Sequence, residues 1–254
     1  MPLSSGSLST RWLRTFRPVA SPRLRLVCFP HAGGTASFFR AWHQHLPADW
    51  EVSAVRYPGR EERIAEPDST SMAELAGQLA DALTPSMTPR TVFFGHSMGA
   101  SVAHEVAALL AERGATGPAA LLVSGRAAPH RLRRLTTGDL TDEELQAKVS
   151  QLGGPGAELL LDPELRDLVL PPIRADYRLL EAYVDGAKAP AVDVPVIAYF
   201  GENDPGPTPD DVRAWTELTT AGFEVRGFTG DHFYLVPNEA ELLRDIRERL
   251  TALG

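Results

Sequence analysis

The sequence predicts an α/β fold: a mostly parallel sheet with helices on both faces and an inserted helical segment. Three observations predict it. Apolar runs recur at Leu24–Phe29, Glu51–Val55, Thr91–Phe94, Ala119–Val123 and Val194–Phe200, and they are continuous rather than alternating, as in strands buried on both faces. Helix-period segments separate most of them, which is the order of a parallel sheet. The interval from Val123 to Val194 is far longer than one crossover helix needs, so the excess reads as an insertion, residues 126–190, within a single domain spanning residues 1–254.

The elements follow in order. Residues 1 to about 22 carry Ser, Gly and Pro and read as a loosely ordered lead-in, pinned to the body by Trp12 or Phe16. The first strand ends in Pro30-His31-Ala32-Gly33-Gly34, a turn opening a helix with Phe38, Phe39, Trp42 and Leu46 at helical spacing, which suits core packing. Met72–Leu83 is a helix ended by Pro85 and Pro89. Within the insertion, Thr141-x-x-Glu144 is a capping box for a helix that Gly153-Gly154-Pro155 stops. Asp162-Pro163-Glu164 opens a second helix, broken at Pro171-Pro172, and Ile173–Val184 forms a third, capped by Gly186. Helix Pro209–Thr220, strand Phe223–Phe228 and helix Pro237–Leu253 complete the chain.

The densest stretch is Thr91 to Arg113. A buried strand runs into Gly95-His96-Ser97-Met98-Gly99 and then into an Ala/Val/Leu-rich helix. This strand–turn–helix context is what a G-x-S-x-G nucleophile elbow requires, and it makes the sheet that of an α/β-hydrolase. Gly95 and Gly99 let strand and helix close around a strained Ser97, whose hydroxyl is pushed out at the top of the sheet. The helix N-terminus offers the Met98 amide to an oxyanion. A helical insertion in such a sheet is where lids occur.

Composition excludes other classes. A formal net charge of −8 argues against nucleic acid as a partner. No apolar run approaches the ~18 residues of a membrane span, and with no h-region at the N-terminus the expectation is a cytoplasmic protein with no membrane partner. The single Cys28 can form no internal disulfide and reads as a buried strand residue. His43 and His45 diverge on a helix, and His104-Glu105 lacks the second histidine of a zinc helix, so neither metal nor other cofactor is expected.

A serine hydroxyl needs a base, and the base an orienting carboxylate, in the chain order Ser, Asp or Glu, His. Asp204 follows strand Val194–Phe200, with Glu202 and Asp210 as nearby rivals; Asp193 lies at the wrong end. His232 follows strand Phe223–Phe228 and is the histidine downstream of Asp204. The second oxyanion donor belongs to the loop after the first strand, where Ala32 is the candidate amide and His31 a wall of the pocket.

A family resemblance covers the chain from about Arg11 onward. Val27-Cys28-Phe29-Pro30-His31-Ala32-Gly33-Gly34, Tyr57-Pro58-Gly59-Arg60-Glu61-Glu62-Arg63, Phe94-Gly95-His96-Ser97-Met98-Gly99, Arg174-Ala175-Asp176-Tyr177 and Gly230-x-His232-Phe233-x-Leu235 stand in the family's order. Together they resemble the stand-alone type II thioesterases of polyketide and nonribosomal peptide synthesis. The Pro-Gly-Arg-Glu and Arg-Ala-Asp-Tyr stretches are more specific than the elbow. The resemblance implies hydrolysis of stalled or wrong acyl groups from the phosphopantetheine arm of acyl or peptidyl carrier proteins. It assigns Ser97 as nucleophile, His232 as base, Asp204 as orienting acid, and Met98 and Ala32 as oxyanion amides. The loop Pro205-Gly206-Pro207 is richer in proline than the family's pattern.

Two other readings compete: a general carboxylesterase with the same triad, and an inactive hydrolase fold serving as a binding protein. An acidic enzyme meeting an acidic carrier needs a local basic patch, and His130, Arg131, Arg133 and Arg134 supply one, with Arg60 and Arg63 next in line.

Overall fold

The computed structural model describes residues 11–134, 140–154 and 160–252. The seven strands are β1 (Leu13–Thr15), β2 (Leu24–Phe29), β3 (Trp50–Val55), β4 (Thr91–His96), β5 (Ala120–Ser124), β6 (Val196–Gly201) and β7 (Phe223–Phe228). They form one sheet in the order β1-β3-β2-β4-β5-β6-β7, with β1 antiparallel to β3 and every other pair parallel. The α-helices are α1 (Met72–Leu83), α2 (Met98–Glu112), α3 (Asp142–Gln151), α4 (Pro163–Gly186), α5 (Pro209–Arg213) and α6 (Glu239–Ala252).

Alternate residues of each central strand feed two separate apolar layers. Val27, Phe29, Phe93, Leu121 and Val123 face α1 and α2, and Leu26, Cys28, Phe94, Leu122 and Tyr199 face α6 and the aromatics Phe39 and Trp42. Burial on both faces is the reason these strands read as unbroken apolar runs. Cys28 is fully buried in β2.

Four local expectations are corrected. The lead-in is not simply loose: Trp12 is buried, and Leu13–Thr15 pairs with Val55–Ser53 as an antiparallel edge strand, too short to carry a pattern of its own. The aromatic helix after β2 is two 3-10 turns, Ala36–Phe39 and Trp42–Gln44, because the buried faces of Phe39 and Trp42 fix the chain more strongly than helix propensity does. The helix expected over Pro209–Thr220 is α5 followed by a 3-10 segment, Ala214–Leu218.

The fourth correction concerns the insertion. Pro171 and Pro172 do not break it; they lie inside the continuous helix α4. Each proline removes one i→i−4 bond, but the half before them is largely exposed, with Leu168 open to solvent, where water can satisfy the freed carbonyls. After them Ile173, Tyr177, Leu179, Leu180 and Tyr183 are buried, and that packing holds the helix direction. The α3 capping box forms as the spacing predicts, with Thr141 and Glu144 bonded reciprocally. The lead-in before residue 11, Pro155 of the expected α3 stop, and Leu253 lie outside the described residues. No helix among the described residues is long and apolar enough to cross a membrane.

Candidate active site

β4 is flanked by β2 and β5, and its C-terminal end delivers Ser97 to the top of the sheet. Ser97 has φ 54° and ψ −119°, a conformation a residue with a Cβ adopts only when its surroundings over-determine it. They do so here. A Cβ on Gly95 would overlap the Gly99 carbonyl, and one on Gly99 would overlap the Phe29 carbonyl, so strand and helix touch backbone to backbone. The Ser97 N–H donates to the Ser124 carbonyl at 2.8 Å, tying the elbow to β5. Met98 opens α2, where amides have no intrahelical acceptor.

Asp204 lies in the loop after β6 and His232 in the turn after β7. The His232 Nδ1–H donates to Asp204 Oδ2 at 2.7 Å, since a carboxylate only accepts; Nε2 is thereby left as the acceptor nitrogen. The Asp204 side chain is fully buried, and its Oδ1 accepts the Gly206 N–H at 2.8 Å. The proline-rich loop therefore grips the carboxylate. Of the rivals, Asp210 pairs with Arg213 at 3.0 Å and Glu202 is exposed. Ser97, His232 and Ala32 line the same two cavities.

Two further histidines surround His232. Burial, reinforced by the nearby His232 and Arg60, pulls the His31 pKa down to about 3, so this ring is neutral and cannot serve as a proton donor near neutrality. It packs edge-on against Phe38 and Phe233 in the cavity wall. Burial likewise keeps His96 neutral, and its Nδ1 meets Ser124 Oγ at 3.0 Å, which in turn meets the Tyr234 hydroxyl at 2.6 Å. His104 is a core residue, its Nε2 2.9 Å from the Pro190 carbonyl oxygen. No group of three or more metal-ligating side chains occurs among the described residues.

What sequence reasoning did not see is how the loop from Pro30 to Gly34 is held. Asp176 on α4 accepts the Gly33 N–H on Oδ2 at 2.7 Å and takes a bidentate pair from Arg60, at 2.6 and 2.8 Å. Both charged side chains are buried. Arg60 also donates to the Pro58 and Gly34 carbonyls, while the Tyr57 hydroxyl donates to Pro30. The two most family-specific stretches thus meet on the loop that carries Ala32. Their residue types were visible; their meeting was not. With Arg60 and Arg63 buried, neither is a docking surface. The basic patch is exposed but paired: Arg131 with Glu217 and Arg133 with Asp211 at 3.3 Å, and Arg134 with Asp185 at 3.4 Å.

A nucleophile-elbow serine, a buried carboxylate–histidine pair and a mostly parallel sheet define an α/β-hydrolase fold of the serine-hydrolase type. Residues 24–250 match the Thioesterase domain family, and the chain belongs to that family. Among its relatives is "Thioesterase PikA5" of Streptomyces venezuelae, 40% identical over 240 residues, covering 94% of this chain and 85% of that protein. The solved structure of the type II thioesterase BorB from the borrelidin biosynthetic cluster superposes with TM-score 0.86 at 40% identity, covering 94% of this chain and 97% of BorB. RedJ, a thioesterase from the prodiginine pathway of Streptomyces coelicolor, superposes with TM-score 0.84 at 40% identity, covering 90% and 91%. The chain is a thioesterase-family hydrolase whose relatives are type II thioesterases of polyketide and nonribosomal peptide pathways.

Proposed function

We propose that this enzyme hydrolyses acyl thioesters on the phosphopantetheine arm of acyl and peptidyl carrier proteins in the cytoplasm, with residues 126–190 as a lid over the site. The observation that carries the reading is the His232–Asp204 bond beside Ser97, in a chain whose relatives are thioesterases. Ser97 Oγ attacks the thioester carbonyl as His232 Nε2 takes its proton, and the buried Asp204 stabilises the imidazolium. The tetrahedral oxyanion accepts the amides of Ala32 and Met98. Collapse breaks the C–S bond; the departing thiolate takes the proton from His232, leaving an acyl-Ser97 ester. Water, deprotonated by His232, then attacks that ester, and the fatty or polyketide acid leaves with Ser97 restored.

The test compares hydrolysis of acyl-carrier protein with that of a free aryl ester while the acyl chain is varied. Preference for the carrier thioester, abolished in Ser97→Ala, is expected. Preference for the oxygen ester would make the chain a carboxylesterase, and turnover of neither an idle fold. A fluorophosphonate should label Ser97 alone.

A further inference from the structure

Two cavities meet at Ser97; both are walled mainly by apolar side chains, and they differ in the charged groups they carry. Ser97, Ala32, Leu152, Tyr177 and His232 line both. One, of about 280 Å³, continues between apolar side chains, among them Phe38, Val169 and Ile173. The other, of about 410 Å³, adds to apolar Leu132, Leu180 and Val184 the cations Arg126, Arg131, Arg133 and Lys148 and the carboxylate of Asp211. A thioester bound at Ser97 sends its acyl chain one way and its thiol arm the other, so each half meets one cavity.

Arg126 stands apart from the other cations. Arg131 and Arg133 have carboxylate partners. The Arg126 side chain instead donates from Nε to Ser101 Oγ at 2.9 Å, and its Nη2 is buried without a hydrogen-bond partner among the described residues. Desolvation holds its pKa down at about 10, so it remains a cation at neutral pH. A guanidinium has five donors in a planar fork, and Arg126 lines the cavity with Ser97 and His232, so the donors that Ser101 does not take suit a ligand acceptor there. Its backbone is fixed next to the base: the Trp215 indole N–H donates to the Arg126 carbonyl at 2.9 Å, and a Cβ on the preceding Gly125 would lie 3.4 Å from His232 Cε1.

We propose that Arg126 is a substrate-binding residue whose guanidinium donates to an acceptor oxygen of the thioester in the larger cavity. The inference rests on the thioesterase reading and adds which part of the substrate this side chain reads. The cavity that carries the cations matches the thiol arm, whose amide carbonyls are acceptors; the cavity without Arg or Lys matches hydrocarbon. A 3-oxo group on the acyl chain offers the same chemistry, and the test separates the two sources.

Steady-state hydrolysis is measured for wild type, Arg126→Met and Arg126→Lys on three thioesters: S-ethyl thiobutyrate, S-butyryl pantetheine and S-ethyl 3-oxothiobutyrate. The first has no acceptor beyond the reacting group, the second has amides in the arm, and the third has an oxygen in the acyl chain. Loss of a hydrogen bond from a charged donor corresponds to about 10–100-fold. Arg126→Met is expected to raise KM for butyryl pantetheine by about that factor with kcat within about threefold, and the effect on S-ethyl thiobutyrate should be at least about tenfold smaller. Arg126→Lys, which keeps the charge but not the fork, should fall between. A loss confined to the 3-oxo substrate keeps the donor role and moves the acceptor to the acyl chain. An equal loss on all three substrates, or none on any, overturns the proposal. Ser101 can turn its hydroxyl to its own helix when Arg126 is removed; should the Met variant not fold, the Lys variant decides by the same pattern. Turnover surviving in Ser97→Ala would overturn the thioesterase reading itself, whatever Arg126 does.

Discussion

The floor and the roof of this site are held in opposite ways. The floor is fixed through the backbone: Ser97 N–H is bonded to Ser124, Asp204 N–H to Gly201, and Gly206 N–H to the Asp204 carboxylate. The roof is the helical segment between β5 and β6. Its first helix, α3, buries Leu145 alone, and its second, α4, reaches the body through a few side chains. Asp176 grips Gly33 and Arg60, and the Tyr183 hydroxyl donates to Glu105 at 2.8 Å. The difference teaches where chemistry and adaptation are separable. On the proposed mechanism, substitutions in the floor should act on bond making, whereas those in the roof should act on the loop that carries Ala32 and on the walls of the cavities.

The largest effects are expected in the floor. Ser97→Ala and His232→Ala should each lower kcat by several orders of magnitude without lowering Tm, because such residues act as a unit. Asp204→Asn should cost about 10⁴ in kcat by leaving His232 in the wrong tautomer, while Glu202→Gln stays near wild type. A near-normal Asp204→Asn would move the orienting carboxylate elsewhere.

The junction of roof and floor gives the sharper contrast. Asp176→Ala strands a buried Arg60 charge and should cost about 3–5 kcal/mol of stability, read by denaturant unfolding. Replacing both partners, Arg60→Met with Asp176→Leu, should restore most of that stability, since apolar pairs often replace buried ion pairs at no loss. Activity should not return with it. Gly33 N–H would still lack its acceptor, and a misplaced oxyanion donor costs about 10²–10³ in kcat. Full recovery of kcat in the stable double variant would make Asp176 a purely structural residue.

Smaller effects belong to the surface. Charge reversal at Arg134, which lines neither cavity, should weaken turnover of acyl-carrier protein several-fold, with a much smaller effect on acyl-pantetheine, and the loss should shrink as salt rises; reversal at Arg131 or Arg133, in the wall of the larger cavity, should affect both substrates. Stability should hardly change at Arg131 and Arg134, whose pairs are exposed, whereas Asp211, the partner of Arg133, is largely buried and reversal there should cost more. Equal effects of the Arg134 reversal on both substrates would place carrier docking elsewhere. The effect that is smallest at neutral pH is on pH dependence. His31 is held at a pKa of about 3 in the folded chain, chiefly by burial, against about 6.5 unfolded. Between those values the unfolded chain binds more protons, so this residue makes stability fall as pH drops from about 6.5 toward 3. His31→Phe should flatten that part of the Tm–pH profile; an unchanged slope would show that His31 is protonated in the fold.

The same division explains what the sequence made legible. The elbow is local: Gly95, Ser97 and Gly99 sit within five residues, and their spacing alone implies the turn. Asp204 and His232 follow from where strands end. The contact between Gly33 and Asp176 spans 143 residues and belongs to no periodicity, so nothing in either stretch announces the other. Pro171-Pro172 reads locally as a break, yet buried Ile173 and Tyr177 carry the helix through. Arg126, one residue beyond a glycine turn, looks like any surface arginine until the cavity is seen around it.

The central claim is that the acyl group passes through Ser97. Rapid quenching of the enzyme with acyl-carrier protein, followed by peptide mass mapping, tests it most directly. The account predicts an acyl adduct on the Ser97 peptide, and free holo-carrier released in a burst no larger than the enzyme present whenever deacylation is the slower step. Sustained hydrolysis by Ser97→Ala, or acyl label on any other residue, would contradict it.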